Sequence, residues 1–223
     1  MPQTTIVFDL NETLLDFSAL DPLFADAFGD KGVRRTWFAQ TLQNAMAATI
    51  LESYAEFGEL ARVALDMTAR KRGVNIDDER KRRILRGMSS LPPHGDVRGG
   101  LERLHDAGFR LAALTNSTEA TARAQLEHAR ILERFELVLS ADDVRRFKPA
   151  PEVYRMAAER LGIPIERMLL VAAHGWDVAG AMHAGATAAF VARHGSALNP
   201  LEPEPAYVVH DVVELADALR RAA

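Results

Sequence analysis

From residue 97 onward, short apolar runs alternate regularly with helical runs, and this alternation limits the chain to one kind of architecture. Strands are expected at 110–114, 135–140, 167–173 and 187–192, with a shorter one at 207–209. Helices are expected between them at 97–107, 120–129, 152–161 and 178–184, with a terminal helix at 212–222. Gly108 and Gly185 end two of these helices, and Pro149 and Pro151 open a third. Short apolar strands that each lead into a helix imply a parallel sheet covered on both faces. A first strand, expected at 4–10, stands apart from the others. The stretch 18–91 after it is rich in Ala, Leu, Met, Arg and Glu and reads as three or four helices. Within it Phe38, Leu42, Ala45 and Met46 fall at helical spacing, as do Phe57, Leu60, Ala61, Ala64 and Leu65. Breaks at 73–75 and 92–95 divide and close the segment. The predicted fold class is therefore α/β. A Rossmann-like parallel-sheet core (1–14 and 94–223) carries an inserted helical cap (15–93) over the carboxyl edge of its strands.

Composition removes several function classes. A chain of 223 residues can bury a sizeable core. Its net charge of −4, from 27 basic and 31 acidic side chains, argues against a bulk electrostatic grip on nucleic acid or anionic lipid. The absence of cysteine excludes disulfides, thiolate metal sites and a thiol nucleophile. No apolar run reaches the roughly 18–20 residues that span a bilayer. The opening Met1-Pro2-Gln3-Thr4-Thr5 lacks the order of a signal peptide, so a soluble cytoplasmic protein is expected.

In an open parallel sheet, ligands bind outside the carboxyl ends of the strands. The polar residues expected there are Asp9, Asn11 and Thr13 after the first strand, and Thr115-Asn116-Ser117 after the second. Lys148 follows the third, and His174 and Asp177 follow the fourth. Four separate segments thus converge on one edge. FDLNETLLD, LTNST, FKPAPEVY and AAHGWDVAGA, in this order and spacing, resemble the four motifs of the haloacid dehalogenase superfamily, and the resemblance covers essentially the whole chain. It implies Asp9 as nucleophile, Thr13 as its positioning hydroxyl, Thr115 as the second-motif hydroxyl, Lys148 as charge partner and Asp177 as fourth-motif acid.

Phosphatases of this superfamily carry a second acid two residues after the nucleophile as general acid, where this chain has Asn11. Their fourth motif, Gly-Asp-x-x-x-Asp, supports Mg²⁺, and its first two positions are here Ala172 and Ala173. Both departures point to the type II (L-2-haloacid) dehalogenase branch, which works without metal or cofactor on small halogenated carboxylic acids. In that chemistry Asp9 displaces halide from Cα and forms an ester, which water then hydrolyses to a 2-hydroxy acid of inverted configuration. Lys148 keeps Asp9 ionised, Asp177 is the candidate base, and Thr13, Thr115 and Asn116 orient substrate and oxyanion. Trp176 beside Asp177, and Tyr154 six residues after Lys148, also match this branch.

The branch usually has Leu/Ala-Tyr-Gly where this chain has Leu10-Asn11-Glu12, and a cap arginine where alignment on Trp37 puts Phe38. Arg34 and Arg35, about one turn away, read either as substitutes for it or as a solvated pair at a helix start. His174, where the branch tends to have Asn, reads as a proton carrier, a donor to the halide or a residue orienting Asp177. Substrate contacts are thus expected from Asn11, Phe38, Thr115, Asn116, Tyr154, His174 and Trp176. A homodimer with 44–65 as its contact surface is expected from the resemblance alone. A hydrolase of phosphate esters and a ligand-binding member with degraded chemistry remain as alternatives. Met46, Met67, Met88 and Met156 read as packing residues, and the other histidines lack metal-ligand spacing. The run Arg80-Lys81-Arg82-Arg83 reads as a solvated helix face.

Overall fold

The computed structural model describes residues 5–222. The Thr4 start expected for the first strand, and residues 1–4 of the opening read as lacking a signal peptide, lie outside the described residues. Strand β1 (Thr5–Phe8) leads into four helices, α1 (Asp21–Phe28), α2 (Val33–Ile50), α3 (Phe57–Arg72) and α4 (Asp78–Gly87). Alternation then begins with α5 (Val97–Asp106), β2 (Arg110–Thr115), α6 (Glu119–His128), β3 (Leu137–Ser140), α7 (Pro151–Leu161) and β4 (Met168–Ala172). It continues through α8 (Gly175–Ala184), β5 (Thr187–Val191), β6 (Tyr207–Val209) and α9 (Val212–Ala222). The strands form one parallel sheet in the order β3-β2-β1-β4-β5-β6. Every residue of β1 and β4 is buried, as a sheet covered on both faces requires.

Strand order reverses beside β1, because the chain runs outward through β2 and β3 before returning through β4 on the other side. Such a reversal opens a crevice at the carboxyl ends of the two strands it separates. Here they are β1 and β4, and the Asp9 N–H donates to Val171 O at 2.9 Å, carrying the pairing one residue beyond β1. Asp9 is thereby fixed at the crevice.

The helical segment has an interior of its own. Phe24 packs on Trp37 with ring centroids 5.1 Å apart, and Phe17 on Phe38 at 4.7 Å. Trp37 Nε1 donates to Ala61 O at 2.8 Å and ties α2 to α3. The chain leaves and re-enters the sheet side by side: Asp16 N donates to Pro92 O at 2.8 Å and His94 N to Leu14 O at 2.9 Å. No helix among the described residues is long and apolar enough to cross a membrane.

The largest departure from the predicted bounds is at α8, while β1 ends and β3 begins two residues inside theirs. Helix α8 begins at Gly175 rather than 178, because the N–H groups of Asp177 and Val178 both reach His174 O, at 3.0 and 3.1 Å. A glycine scores poorly as a helix former, so residue propensity hid this turn. Trp176 and Asp177 consequently stand in the first helical turn. Close packing also needs Gly180: a Cβ there would lie 2.5 Å from Pro149 Cβ and 2.7 Å from the Tyr154 hydroxyl.

Candidate active site

Asp9 stands one residue beyond β1 with both oxygens engaged. Oδ1 accepts from Lys148 Nζ at 3.1 Å, and Oδ2 accepts from Thr13 Oγ1 at 2.7 Å. Thr13 is committed as a donor, because its Oγ1 already accepts the Ala173 N–H at 2.9 Å. Lys148 follows β3 and reaches Asp9 from the far side of the crevice. Its ammonium also lies 2.8 Å from Asp177 Oδ2, and its backbone N–H donates to Asn116 Oδ1 at 2.9 Å. Lys148 is 1% exposed and Asp177 is fully buried, so this ion triad is out of reach of solvent screening. Tyr154, on α7, donates to Asp177 Oδ1 at 2.6 Å.

His174 closes the other side of Asp9. Its Nδ1 lies 3.2 Å from Asp9 Oδ2 and its Nε2 lies 3.1 Å from Glu12 Oε2. Glu12 Oε1 in turn faces Arg34 at 3.1 Å, and Arg34 Nε reaches Asp21 at 2.6 Å. A line of alternating charge thus runs from the nucleophile position to α2. The imidazole stacks on Trp176 with centroids 5.1 Å apart and lies 6.0 Å from Phe38. A cavity of about 740 Å³ opens in front of it, with Glu12, Arg35, Phe38, His174, Trp176 and Arg193 in its walls.

These contacts decide protonation. Burial pushes the Asp9 carboxyl up, but Lys148, His174 and Thr13 outweigh it and hold the group well below the usual carboxylate range. Burial pushes His174 down, yet its hydrogen bonds and charge pairing with Asp9 and Glu12 raise it to about 10. Asp177 is raised by burial, with Lys148 offsetting part of the effect and the Asp9 charge adding to it. Burial and the Asp177 carboxylate push the Tyr154 hydroxyl well above its ordinary range, so it stays a donor at neutral pH.

The structure brings Asp9, Thr13, Lys148, Asp177 and His174 into one contact set, with Phe38 and Trp176 on the cavity wall. The remaining candidates are engaged with protein groups around this set. Tyr154, expected to touch substrate, is fully buried behind Asp177, because its hydroxyl is drawn to that carboxylate. Asn11 Oδ1 is taken by Gln125 Nε2 at 3.2 Å, and Thr115 Oγ1 accepts the Ser117 N–H at 3.2 Å. Asn116 holds the backbone of Lys148. Two contributors escaped sequence reasoning. Glu12 was noted only as a departure from the usual motif, although its backbone (φ 62°) lies in the left-handed region. Arg193 clamps Asp96 at 2.7 and 2.9 Å and donates to Thr13 O at 3.0 Å, fixing the loop after β1. The signal for it was a cation just past the end of β5, on the same edge as the motifs.

Comparisons with known proteins show the family and the fold. A family model described as haloacid dehalogenase-like hydrolase matches residues 3–185. The (S)-2-haloacid dehalogenase 4A of Burkholderia cepacia is 30% identical over 215 residues, covering 95% of this chain and 91% of that protein. The (S)-2-haloacid dehalogenase H-109 of Pseudomonas putida is 29% identical over 220 residues, covering 98% of each. The solved L-2-haloacid dehalogenase of Xanthobacter autotrophicus superposes with a TM-score of 0.92 over 99% of this chain and all of that one. At 24% identity, that last likeness speaks for the fold alone.

Proposed function

The chain belongs to the haloacid dehalogenase-like hydrolases, and from that membership we propose that it hydrolyses the carbon–halogen bond of short 2-haloalkanoic acids through an ester at Asp9. The observation that carries this reading is the state of Asp9. It is a buried carboxylate kept ionised by Lys148 and by His174, and His174 in turn lines a cavity walled by Phe38 and Trp176. Asp9 attacks Cα of the substrate, the C–O bond forms, and the halide leaves with the electron pair of the broken bond. Water then adds to Cγ of Asp9, and Asp177, whose carboxyl is raised toward accepting a proton, takes it. The products are a 2-hydroxy acid, halide and a restored Asp9.

The residues present do not fit the divalent cation of the phosphatase members. Ala172 and Ala173 bring no oxygen ligand, and both Asp9 oxygens already face cations. No acid stands at Asn11 to protonate an alkoxide, whereas a departing halide needs no proton.

Residues 15–93 form the cap of this reading. The paired exit and return at Leu15 and Pro93 support that boundary. The proposed homodimer uses the surface around 44–65, where Ile50 and Leu51 are 80% and 73% exposed. Light scattering that finds a monomer at micromolar protein would remove it.

The test is halide release from chloroacetate, fluoroacetate and both 2-chloropropionate enantiomers in EDTA, with a phosphate ester and Mg²⁺ in parallel. Halide release that disappears in Asp9→Asn, with ¹⁸O from labelled water entering Asp9 over many turnovers, is the expected result. Phosphate release without halide would replace the reading with a phosphatase, and inactivity on both with a binding protein.

A further inference from the structure

The two oxygens of Asp9 carry unequal donor loads. Oδ1 faces Lys148 alone, whereas Oδ2 lies at 2.7 Å from the Thr13 hydroxyl and 3.2 Å from His174 Nδ1. Thr13 has one proton, and with its oxygen accepting from Ala173 N that proton goes to Asp9. His174 has a carboxylate opposite each ring nitrogen, so both nitrogens act as donors and the ring is an imidazolium. Trp176 and Phe38 lie against the ring and fix its plane.

Resting on the aspartyl-ester reading, in which Thr13 already orients the oxyanion, we propose that the His174 imidazolium completes an oxyanion site on Asp9 Oδ2 that drives hydrolysis of the ester, with Glu12 as the positioning residue that keeps His174 charged. Oδ1, the less loaded oxygen, bonds to substrate Cα as the carbon–halogen bond breaks. Oδ2 is then the carbonyl oxygen of the ester. When water adds to Cγ and gives its proton to Asp177, the carbonyl electron pair moves onto Oδ2, where two donors already point. Collapse of this intermediate breaks the Cγ–Oδ1 bond, and the product alkoxide takes the proton held by Asp177. Asp9 then loses its acid proton to solution, which balances the overall release of one proton.

Glu12 matters most at that stage. Esterification removes the Asp9 charge, one of the two anions that hold the second proton on His174. Glu12 remains, anchored through its other oxygen by Arg34 at 3.1 Å. Its backbone at φ 62° is a conformation that favours glycine, so the fold accepts strain where this carboxylate is delivered. The charged groups around the ring are Asp9 and Glu12 in contact, Lys148 and Arg34 across those carboxylates, and Asp177 beyond Lys148. Arg35, Arg193 and His194 line the same cavity.

The experiment is a single-turnover reaction with L-2-chloropropionate, read for halide and, after quenching, for intact protein mass. His174→Ala is expected to release one equivalent of halide and stall as the Asp9 adduct, with ester hydrolysis slowed on the order of 100-fold. Glu12→Gln is expected to keep the first equivalent. Its hydrolysis rate falls as pH rises through neutrality, where His174 loses its proton, while the wild type stays level. Ester hydrolysis at the wild-type rate in His174→Ala would overturn the proposal, as would loss of its first equivalent of halide. A Glu12→Gln pH profile that superimposes on the wild type also overturns it, and this variant decides the matter if His174→Ala does not fold. No halide from the wild-type protein removes the aspartyl-ester reading itself, and this proposal with it.

Discussion

Replacing Lys148 by methionine keeps most of the side-chain volume and deletes the one charge between two buried carboxylates. The contacts removed are 2.8 Å to Asp177 and 3.1 Å to Asp9. At an effective dielectric near 20, each is a Coulomb attraction of about 5–6 kcal/mol. Desolvation of the ammonium offsets much of that, and breaking a buried pair from one side costs about 3–5 kcal/mol. Asp9 retains His174 as a cationic partner, but Asp177 is left with the Tyr154 hydroxyl alone. Asp177 therefore takes up a proton, and its folded-state pKa rises further above the ordinary 3.8. A raised carboxyl binds more protons folded than unfolded, so stability falls as pH rises from the unfolded to the folded pKa. The slope across that window is about 1.4 kcal/mol per pH unit. Asp9 in the wild type, with its lowered pKa, gives the opposite sign: its contribution is complete above 3.8 and is lost in acid. Urea unfolding of Lys148→Met and wild type should therefore differ by about 3–5 kcal/mol at pH 8 and by visibly less at pH 5. The halide burst of the variant should also be slower than that of the wild type, because Asp9 has lost one of its two cationic partners. A stability difference that is flat from pH 5 to 8, or under about 1 kcal/mol, would refute this account of the triad.

Two neighbours of the triad give simpler expectations. Tyr154→Phe removes the 2.6 Å donor to Asp177 and leaves a buried anion short of a partner. It should lower unfolding free energy by about 1–3 kcal/mol, measured by denaturant titration, and reduce kcat with KM little changed. Gly180→Ala places a methyl 2.5 Å from Pro149 Cβ and should cost about 1–3 kcal/mol by overpacking. Because Pro149 follows Lys148, the same variant should lose activity in steady-state assays beyond what its melting temperature explains.

Much of this molecule was legible in its sequence, for identifiable reasons. The parallel sheet followed from short apolar strands that alternate with helices, a pattern that a sheet covered on both faces requires. Asp9, Lys148 and Asp177 were legible because each lies in the segment that follows a parallel strand, and the topology brings those segments to one edge. What escaped was set by contacts between distant segments. Tyr154 was assigned to substrate because spacing places it near the site, but spacing does not say which side of Asp177 its hydroxyl approaches. Glu12 looked like a departure from pattern, and its value depends on a backbone angle and on His174, 162 residues away. Arg193 needed Asp96 and the Thr13 carbonyl, which only the folded chain brings together. The early start of α8 needed the His174 carbonyl, which outweighed the poor helix propensity of Gly175.

Lys148 is tied at both ends: its backbone N–H to Asn116 and its ammonium to two carboxylates. A free lysine side chain carries about 2 kcal/mol of rotamer entropy. Here that freedom is surrendered once, during folding, and not in each catalytic cycle. The ammonium holds Asp9 already aimed when each substrate arrives, with no solvent shell to shed and no search among rotamers. The order that weakens the folded state by this entropy is the same order that shortens the approach to the transition state.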